Sequence, residues 1–354
     1  MKFGHFCLPT YFPEVDGTVG EFTRRFVDFL AESESAGFDS LWANEHHFDS
    51  YGGIVPSPPM LLSALAQRTK HAKLGTSIIV LPLHNPIEIA EQMAMLDLMS
   101  DGRAELGVGR GFVAFDYDRF GIDRDSGQDR LKDGLAVVRK AWSGERFSHH
   151  GPFFRYDDIE VWPRPQQRPH PPIWLSCSGT PASFEWAGTQ GHRIMTVAYR
   201  GVAPLIKLNQ LYRDSWKAAG HKAGEHEISA HYQVVLAENR DEAKAIGTEA
   251  LSRYMNATTH TIDRLRLDSE REEAAKRDKI ADELRDLDKI IDECRVIIGT
   301  PADAIKTLER AHELMGFTQI DCTFYFGGMS FAHAQRSHRL FAGEVMPKLR
   351  GIKP

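Results

Sequence analysis

The stretch Trp42-Ala43-Asn44-Glu45-His46-His47-Phe48 places two adjacent histidines and a glutamate together, and the chemistry is expected there. It follows Ser40-Leu41, a short apolar run that reads as the end of a buried strand. Gly52, Gly53, Pro56, Pro58 and Pro59 then open an irregular loop. Imidazole changes charge near neutral pH, so two histidines beside a carboxylate suit proton transfer. Adjacent side chains of an extended segment point to opposite sides, so at most one of His46 and His47 aims straight into a site. A hydrogen-bonded structural pair beside a core fits the same residues. Consecutive histidines cannot easily share one metal ion, and no HxH, HExxH or CxxC spacing supports one, so no metal is expected.

A second candidate lies at Cys177-Ser178-Gly179-Thr180-Pro181-Ala182-Ser183, which leads from an apolar run into a helix. Glycine permits close backbone approach, Thr180 and Ser183 offer hydroxyls, and the first N–H groups of a helix are unpaired. A phosphate would fit there, with Arg110 of Gly109-Arg110-Gly111 adding a charge-assisted contact. An ordinary capped helix fits the same residues. No GxGxxG follows the first strand and no GxxxxGK[ST] occurs, so neither a Rossmann site nor a P-loop is indicated.

The elements that must position these residues alternate. Strands are expected at Lys2–Leu8, Ser40–Ala43, Leu74–Leu81, Ala104–Val108, Ile173–Ser176, Arg193–Val197, Ile228–Leu236 and Ile320–Phe326. Helices are expected at Val19–Ala36, Pro58–Lys70, Pro86–Ser100, Asp129–Trp142, Pro181–Gln190, Val202–Ala219, Pro301–Met315 and Ala332–Leu349. Asn85, Pro86 and Glu88 give the third helix a capping box with proline at its first position. Eight buried-type strands alternating with helices predict an α/β (β/α)8 barrel as one domain over 1–354. Two insertions interrupt it. Residues 146–172, rich in Pro and aromatics, read as an excursion with a short strand pair. Residues 251–296 read as a charged helical arm or a lid over the barrel mouth. In a barrel, residues just after strands share one mouth, which gathers His46, His47, Arg110 and the Gly179-Thr180 turn into one site.

Composition narrows the partners. The chain has 354 residues, 42% hydrophobic and 26% charged, with a net charge of −6. That balance predicts neither nucleic acid nor an anionic membrane as partner. Cys7, Cys177, Cys294 and Cys322 have no paired spacing, which fits a reducing cytoplasm. The start is too short for a signal-peptide core, and no apolar run reaches the ~20 residues of a membrane helix.

In order and spacing the chain resembles the bacterial luciferase-like flavin-dependent monooxygenases, particularly the luciferase alpha-subunit branch. The resemblance rests on Lys2-Phe3-Gly4, Ala36-Gly37-Phe38-Asp39, Glu45-His46-His47-Phe48, Gly75-Thr76, Val80-Leu81-Pro82 and Leu96-Asp97. It continues through Met99-Ser100-Asp101-Gly102-Arg103, Arg110-Gly111, Phe120-Gly121, Ser183-Phe184-Glu185-Trp186, Gly299-Thr300-Pro301 and Val345-Met346-Pro347. It implies a barrel that takes reduced FMN from a separate reductase, activates O2 as a peroxyflavin and oxidises a small organic substrate. It carries His46 onto the catalytic histidine with His47 beside it, and Asp116 onto an acidic residue near the flavin. Arg110, Thr180 and Ser183 fall where the family holds the flavin phosphate, and Ser77-Ile78 falls on an unusual cis peptide under the flavin ring. Glu45, Gly109 and Gly179 complete the implied cofactor site.

Three departures matter. Gly109 stands where luciferases have a reactive cysteine, Gly179 where they have a phosphate-site glutamate, and Phe324-Tyr325-Phe326-Gly327-Gly328 lacks an acidic residue. The resemblance therefore implies a related monooxygenase with a substrate other than a long-chain aldehyde. It also implies a dimer, packed through Leu61–Leu65 and Met93–Leu98. A deazaflavin-dependent dehydrogenase or reductase, a non-catalytic flavin-binding subunit and a metal-dependent hydrolase barrel are the competing readings. The last lacks convergent Asp/His ligands at the strand ends.

Overall fold

The computed structural model describes residues 1–264 and 286–352. Eight parallel strands close into a barrel: β1 (Lys2–Cys7), β2 (Ser40–Ala43), β3 (Lys73–Thr76), β4 (Ala104–Gly109), β5 (Ile173–Ser176), β6 (Arg193–Val197), β7 (Ile228–Leu236) and β8 (Gln319–Thr323). Each pairs with its successor, and β8 pairs with β1, for example His5 with Cys322. The helices that cover it are α1 (Val19–Ser35), α2 (Pro58–Ala66), α3 (Pro86–Met99), α4 (Gly127–Ser143), α5 (Pro181–Gln190), α6 (Val202–Ala218), α7 (Arg240–Arg264), α8 (Pro301–Met315) and α9 (Phe331–Leu340). The expected (β/α)8 barrel is the observed architecture.

The lower barrel is filled by two tryptophans. Trp42 and Trp174 meet edge to face, with ring centroids 5.4 Å apart. Each indole N–H is satisfied inside the barrel, Trp42 by Ser40 Oγ at 2.8 Å and Trp174 by Glu105 Oε2 at 2.6 Å. The rings need empty space on neighbouring strands: a Cβ on Gly75 would lie 2.0 Å from Trp42 Cζ3. A packed lower layer leaves room for a ligand only at the carboxyl ends of the strands. Arg103 ties the layers together. Its buried guanidinium donates to Ser100 O, Thr69 Oγ1, Ala72 O, Ala66 O and Thr69 O at 2.7–3.1 Å, satisfying carbonyls at the ends of α2 and α3 and in the loop after α2.

Several element expectations need correction. The run Leu74–Leu81 is not one strand: it breaks at a cis Ser77–Ile78 peptide, resumes as Ile79–Val80 beside β4, and turns into a 3-10 helix over Leu81–Leu83. Continuous hydrophobicity reports burial, not extension, so the break was invisible in it. Helix α2 ends at Ala66, short of Lys70. Asn85 caps α3 through the Ile87 N–H, without the reciprocal Glu88 bond of a capping box. Strand β8 ends at Thr323. The last helix is interrupted by a π-helical turn over Phe341–Val345. Elements that were not expected include the short helices Pro13–Asp16 and Ala114–Arg119 and the strand Ile297–Gly299, which pairs in parallel with the end of β7, Val234 to Leu236.

The excursion at 146–172 contains the expected antiparallel pair, Phe147–His150 with Arg155–Ile159. Buried Asp133 of α4 anchors it, accepting from His149 Nε2 and from the Phe153 and Phe154 N–H groups. Of the charged arm, α7 reaches Arg264 and a short helix spans Leu287–Asp292; the proposed lid between them lies outside the described residues.

Gly75→Ala is expected to destabilise the protein by about 3 kcal/mol through overpacking against Trp42. Trp42→Phe in that background should restore part of the loss. Urea midpoints at unchanged m value check both.

Candidate active site

A cavity of about 740 Å³ opens at the carboxyl ends of the strands. Its wall includes Asn44, Glu45, His46, Ser77, Ile78, Arg110, Asp116, Gly179, Thr180 and Ser183, so most residues singled out in the sequence converge on one space.

Beyond Ala43 the chain leaves strand β2, and the next side chains diverge. Glu45 is buried, and its carboxylate is shared among three partners. Oε1 lies 2.8 Å from both His47 Nε2 and His84 Nε2, and Oε2 accepts from the Val80 N–H at 2.9 Å. Burial alone would raise its pKa; the bonds from His47, His84 and Val80 outweigh it and hold the acid at about 2. His47 is turned to this carboxylate and away from the cavity, its ring 5.0 Å from that of Phe120. Burial opposes its protonation, but Glu45 prevails and raises its pKa. His46 is the histidine on the cavity wall, edge-on to Tyr51 at 5.0 Å and Phe112 at 5.9 Å. Burial lowers its pKa to about 4, so it is a neutral imidazole at pH 7. The one-in, one-out geometry expected of adjacent histidines holds.

Asp116 comes from the unexpected helix Ala114–Arg119. It is 4% exposed, and its Oδ1 has no hydrogen-bond partner among the described residues. Burial raises its pKa to about 7, partly countered by His47. The site thus holds a neutral base and a carboxyl poised near half-protonation, two groups whose environments set opposite roles.

The other end of the cavity is cationic. Arg110 follows β4, is exposed, and makes no side-chain hydrogen bond or ion pair among the described residues. The amino end of α5 shares the wall. Thr180 occupies its N-cap position without a side-chain cap bond, contrary to the capping expected, which leaves its hydroxyl available. Gly179 has a φ of +147°, and the place its side chain would fill is open. Gln128 and Lys132 of α4 join this end; nothing in the periodicity of their helix distinguished them. The sequence reading also missed Asn44, Tyr51, His84, His231 and Tyr254. His84 and His231 are isolated histidines whose roles arise only from partners distant in sequence.

The peptide between Ser77 and Ile78 is cis, where the resemblance puts it. Gly109 is not on the wall. A Cβ there would come 2.4 Å from Ile78 Cδ1, so its bareness makes room for Ile78, which does line the cavity. The residues fit a phosphorylated, flat cofactor: a cationic end with a helix terminus, an apolar waist of Ile78, Val80, Val108 and Leu175, and Asp116 Oδ1, which has no hydrogen-bond partner among the described residues.

Glu45 and Asp116 contribute to the acid–base dependence of stability with opposite signs. Glu45, lowered from 4.5 to about 2, stabilises above pH 4.5 and loses that contribution as pH falls toward 2. Asp116, raised from 3.8 to about 7, has the opposite sign: its contribution is present below pH 3.8 and lost as pH rises through 7. Asp116→Asn should therefore gain thermal stability over the parent progressively from pH 4 to pH 8. Paired melting curves at each pH check it; a constant offset would contradict the shift.

The chain matches the family model described as luciferase-like monooxygenase over residues 1–318. It is 34% identical over 167 residues to the oxygenase component of flavin-dependent trigonelline monooxygenase from Acinetobacter baylyi, covering 47% of this chain and 46% of that one. It is 26% identical to an alkanal monooxygenase alpha chain from the Kryptophanaron alfredi symbiont, covering 99% of each. Among solved structures, monooxygenase RslO1 from Streptomyces bottropensis superposes with a TM-score of 0.85 at 30% identity, over 98% of this chain and 99% of that one. A matching family model, a barrel of the same form and histidine, arginine and helix terminus around one cavity agree: the chain belongs to the luciferase-like monooxygenase family.

Proposed function

We propose that the protein is the oxygenase of a two-component system, taking reduced FMN from a separate flavin reductase and using O2 to oxidise a small organic substrate. The observation that carries this reading is Arg110, which has no ion partner among the described residues, on the same cavity wall as the amino end of α5. A bare guanidinium beside unpaired helix N–H groups is suited to a phosphate. A similarity to an oxygenase component supports the separate reductase. Bound reduced flavin would supply the electrons with which oxygen is activated.

The chain's own tasks are binding, water exclusion and proton handling. Arg110, Thr180 and Ser183 hold the phosphate, and Lys132 adds charge. Ile78, Val80, Val108 and Leu175 provide an apolar bed for the ring system. Neutral His46 accepts a proton at the cavity wall, and Asp116 in its protonated form returns one. His47 acts through Glu45 as a positioning residue, keeping the segment in place.

We place a homodimer contact on α2 and α3. Leu62, Leu65, Met93 and Leu96 of the expected face are buried against the barrel itself. Met60, Met95, Leu98 and Met99 are exposed, Met60 by 75%, and form the apolar surface available to a second copy. Light scattering at micromolar concentration is expected to return twice the chain mass.

Arg110→Ala is expected to weaken FMN binding about 10- to 100-fold, as loss of a charge-assisted hydrogen bond, while leaving riboflavin binding unchanged. His46→Ala should bind FMN as the parent does, yet lower turnover about 10²- to 10⁴-fold. Fluorescence titration and single-turnover oxygen consumption, with hydrogen peroxide quantified, separate the two effects. Exclusive binding of a deazaflavin would overturn the reading.

A further inference from the structure

The end of the cavity away from Arg110 is built differently. Its wall comes from β1, the turn after β2, β7 and α7, and includes Phe6, Asn44, Tyr51, His231 and Tyr254. Among the described residues the ionic side chains on the cavity wall are Arg110, Asp116, Lys132 and Glu45; none of these comes from β1, β7 or α7, and Glu45 is already engaged by two histidines and a backbone N–H. An ion placed among these aromatic walls would be desolvated without a counter-charge.

Asn44 is the unexplained group there. It is 3% exposed, and neither Oδ1 nor Nδ2 has a hydrogen-bond partner among the described residues. Buried polar groups are nearly always paired, and a primary amide carries two donors and a two-lone-pair acceptor, so this side chain is wholly unused. Its position is set by Gly52, at φ +71°. A Cβ on Gly52 would lie 2.7 Å from His46 Cδ2 and 3.0 Å from Asn44 Nδ2. The bare glycine lets the loop close down over both, which puts the amide beside the imidazole.

His231 supplies a second neutral contact. Its Nε2 lies 2.8 Å from Thr323 Oγ1, whose hydroxyl donates to Phe6 O at 3.2 Å. Thr323 therefore accepts from His231 Nε2–H, and Nδ1 carries a free lone pair. The Phe6 ring lies 4.3 Å from this imidazole, and Tyr51 and Tyr254 pair their hydroxyls at 2.9 Å on the same wall.

We infer that this end binds the organic substrate, that the substrate is an uncharged ring compound, and that Asn44 selects it by pairing with a carbonyl and an adjacent N–H or O–H on one edge. This rests on the proposal that the cationic end takes the cofactor. A flat ring suits the aromatic walls, and a donor–acceptor edge is what both halves of an amide can satisfy together. A group held there would lie next to His46, where the proton is to be moved.

The test uses three probes: oxindole, which presents C=O beside N–H, N-methyloxindole, which lacks the donor, and benzoate, which is charged. Calorimetric titration of the FMN-loaded protein is expected to show oxindole binding at least about tenfold more tightly than either of the others. Asn44→Leu should reduce that preference to within about twofold while keeping FMN affinity and melting temperature at parental values. A structural role for Asn44 would instead lower the melting temperature. Retained oxindole preference in Asn44→Leu, or tighter binding of benzoate by the parent, would overturn the inference. Repeating the titration on flavin-free protein keeps the two readings apart. Failure to bind FMN refutes the cofactor assignment, whereas equal binding of all three probes refutes the substrate assignment.

Discussion

One buried carboxylate organises the mouth of this barrel. Glu45 reaches from the end of β2 to the Val80 N–H beyond the break in β3, and to His84 at the start of the next helical segment. The same oxygen orients His47. A charge with so little exposure survives only when it is well hydrogen-bonded, and here three partners keep it ionised far below neutrality. Remove that group and three chain segments lose their common anchor, along with the turn that puts His46 on the cavity wall.

The division of labour along the barrel axis follows from side-chain volume. Trp42 and Trp174 fill the lower barrel, with glycine on a neighbouring strand giving way to Trp42. The cavity opens above them, at the carboxyl face. Within that cavity the charges are sorted. Arg110, Lys132 and the α5 terminus lie at one end, and uncharged aromatics with Asn44 and His231 lie at the other. Between them stand two titratable groups shifted in opposite senses, His46 down and Asp116 up, by the same cause: burial, which penalises whichever form is charged.

Much of this was legible in the chain. The eight-strand alternation emerged from hydrophobic periodicity, because barrel strands covered on both faces read as short apolar runs. Glu45-His46-His47, Arg110 and the Gly179–Ser183 turn stood out because polar groups directly after such runs are rare. The departures are equally physical. The apolar run Leu74–Leu81 hid a break because hydrophobicity reports burial rather than extension. Thr180 has the residue type of a cap but leaves its hydroxyl unbonded. Gly109 sits at a cofactor-site position yet serves by making room for Ile78.

The sequence by itself determined the barrel, its handed order of strands and the short list of groups able to move a proton or hold an anion. Local periodicity and residue chemistry suffice for those. Tertiary structure alone decided which histidine faces the cavity, that His84 and His47 share one carboxylate, and that the Asn44 amide and Asp116 Oδ1 are buried with no hydrogen-bond partner among the described residues. It also joined His231 of β7 to Thr323 of β8 and placed both beside Phe6 of β1. Protonation and hydrogen-bond satisfaction depend on what surrounds a group in three dimensions, and many of the residues that surround these lie tens to hundreds of positions away in the chain.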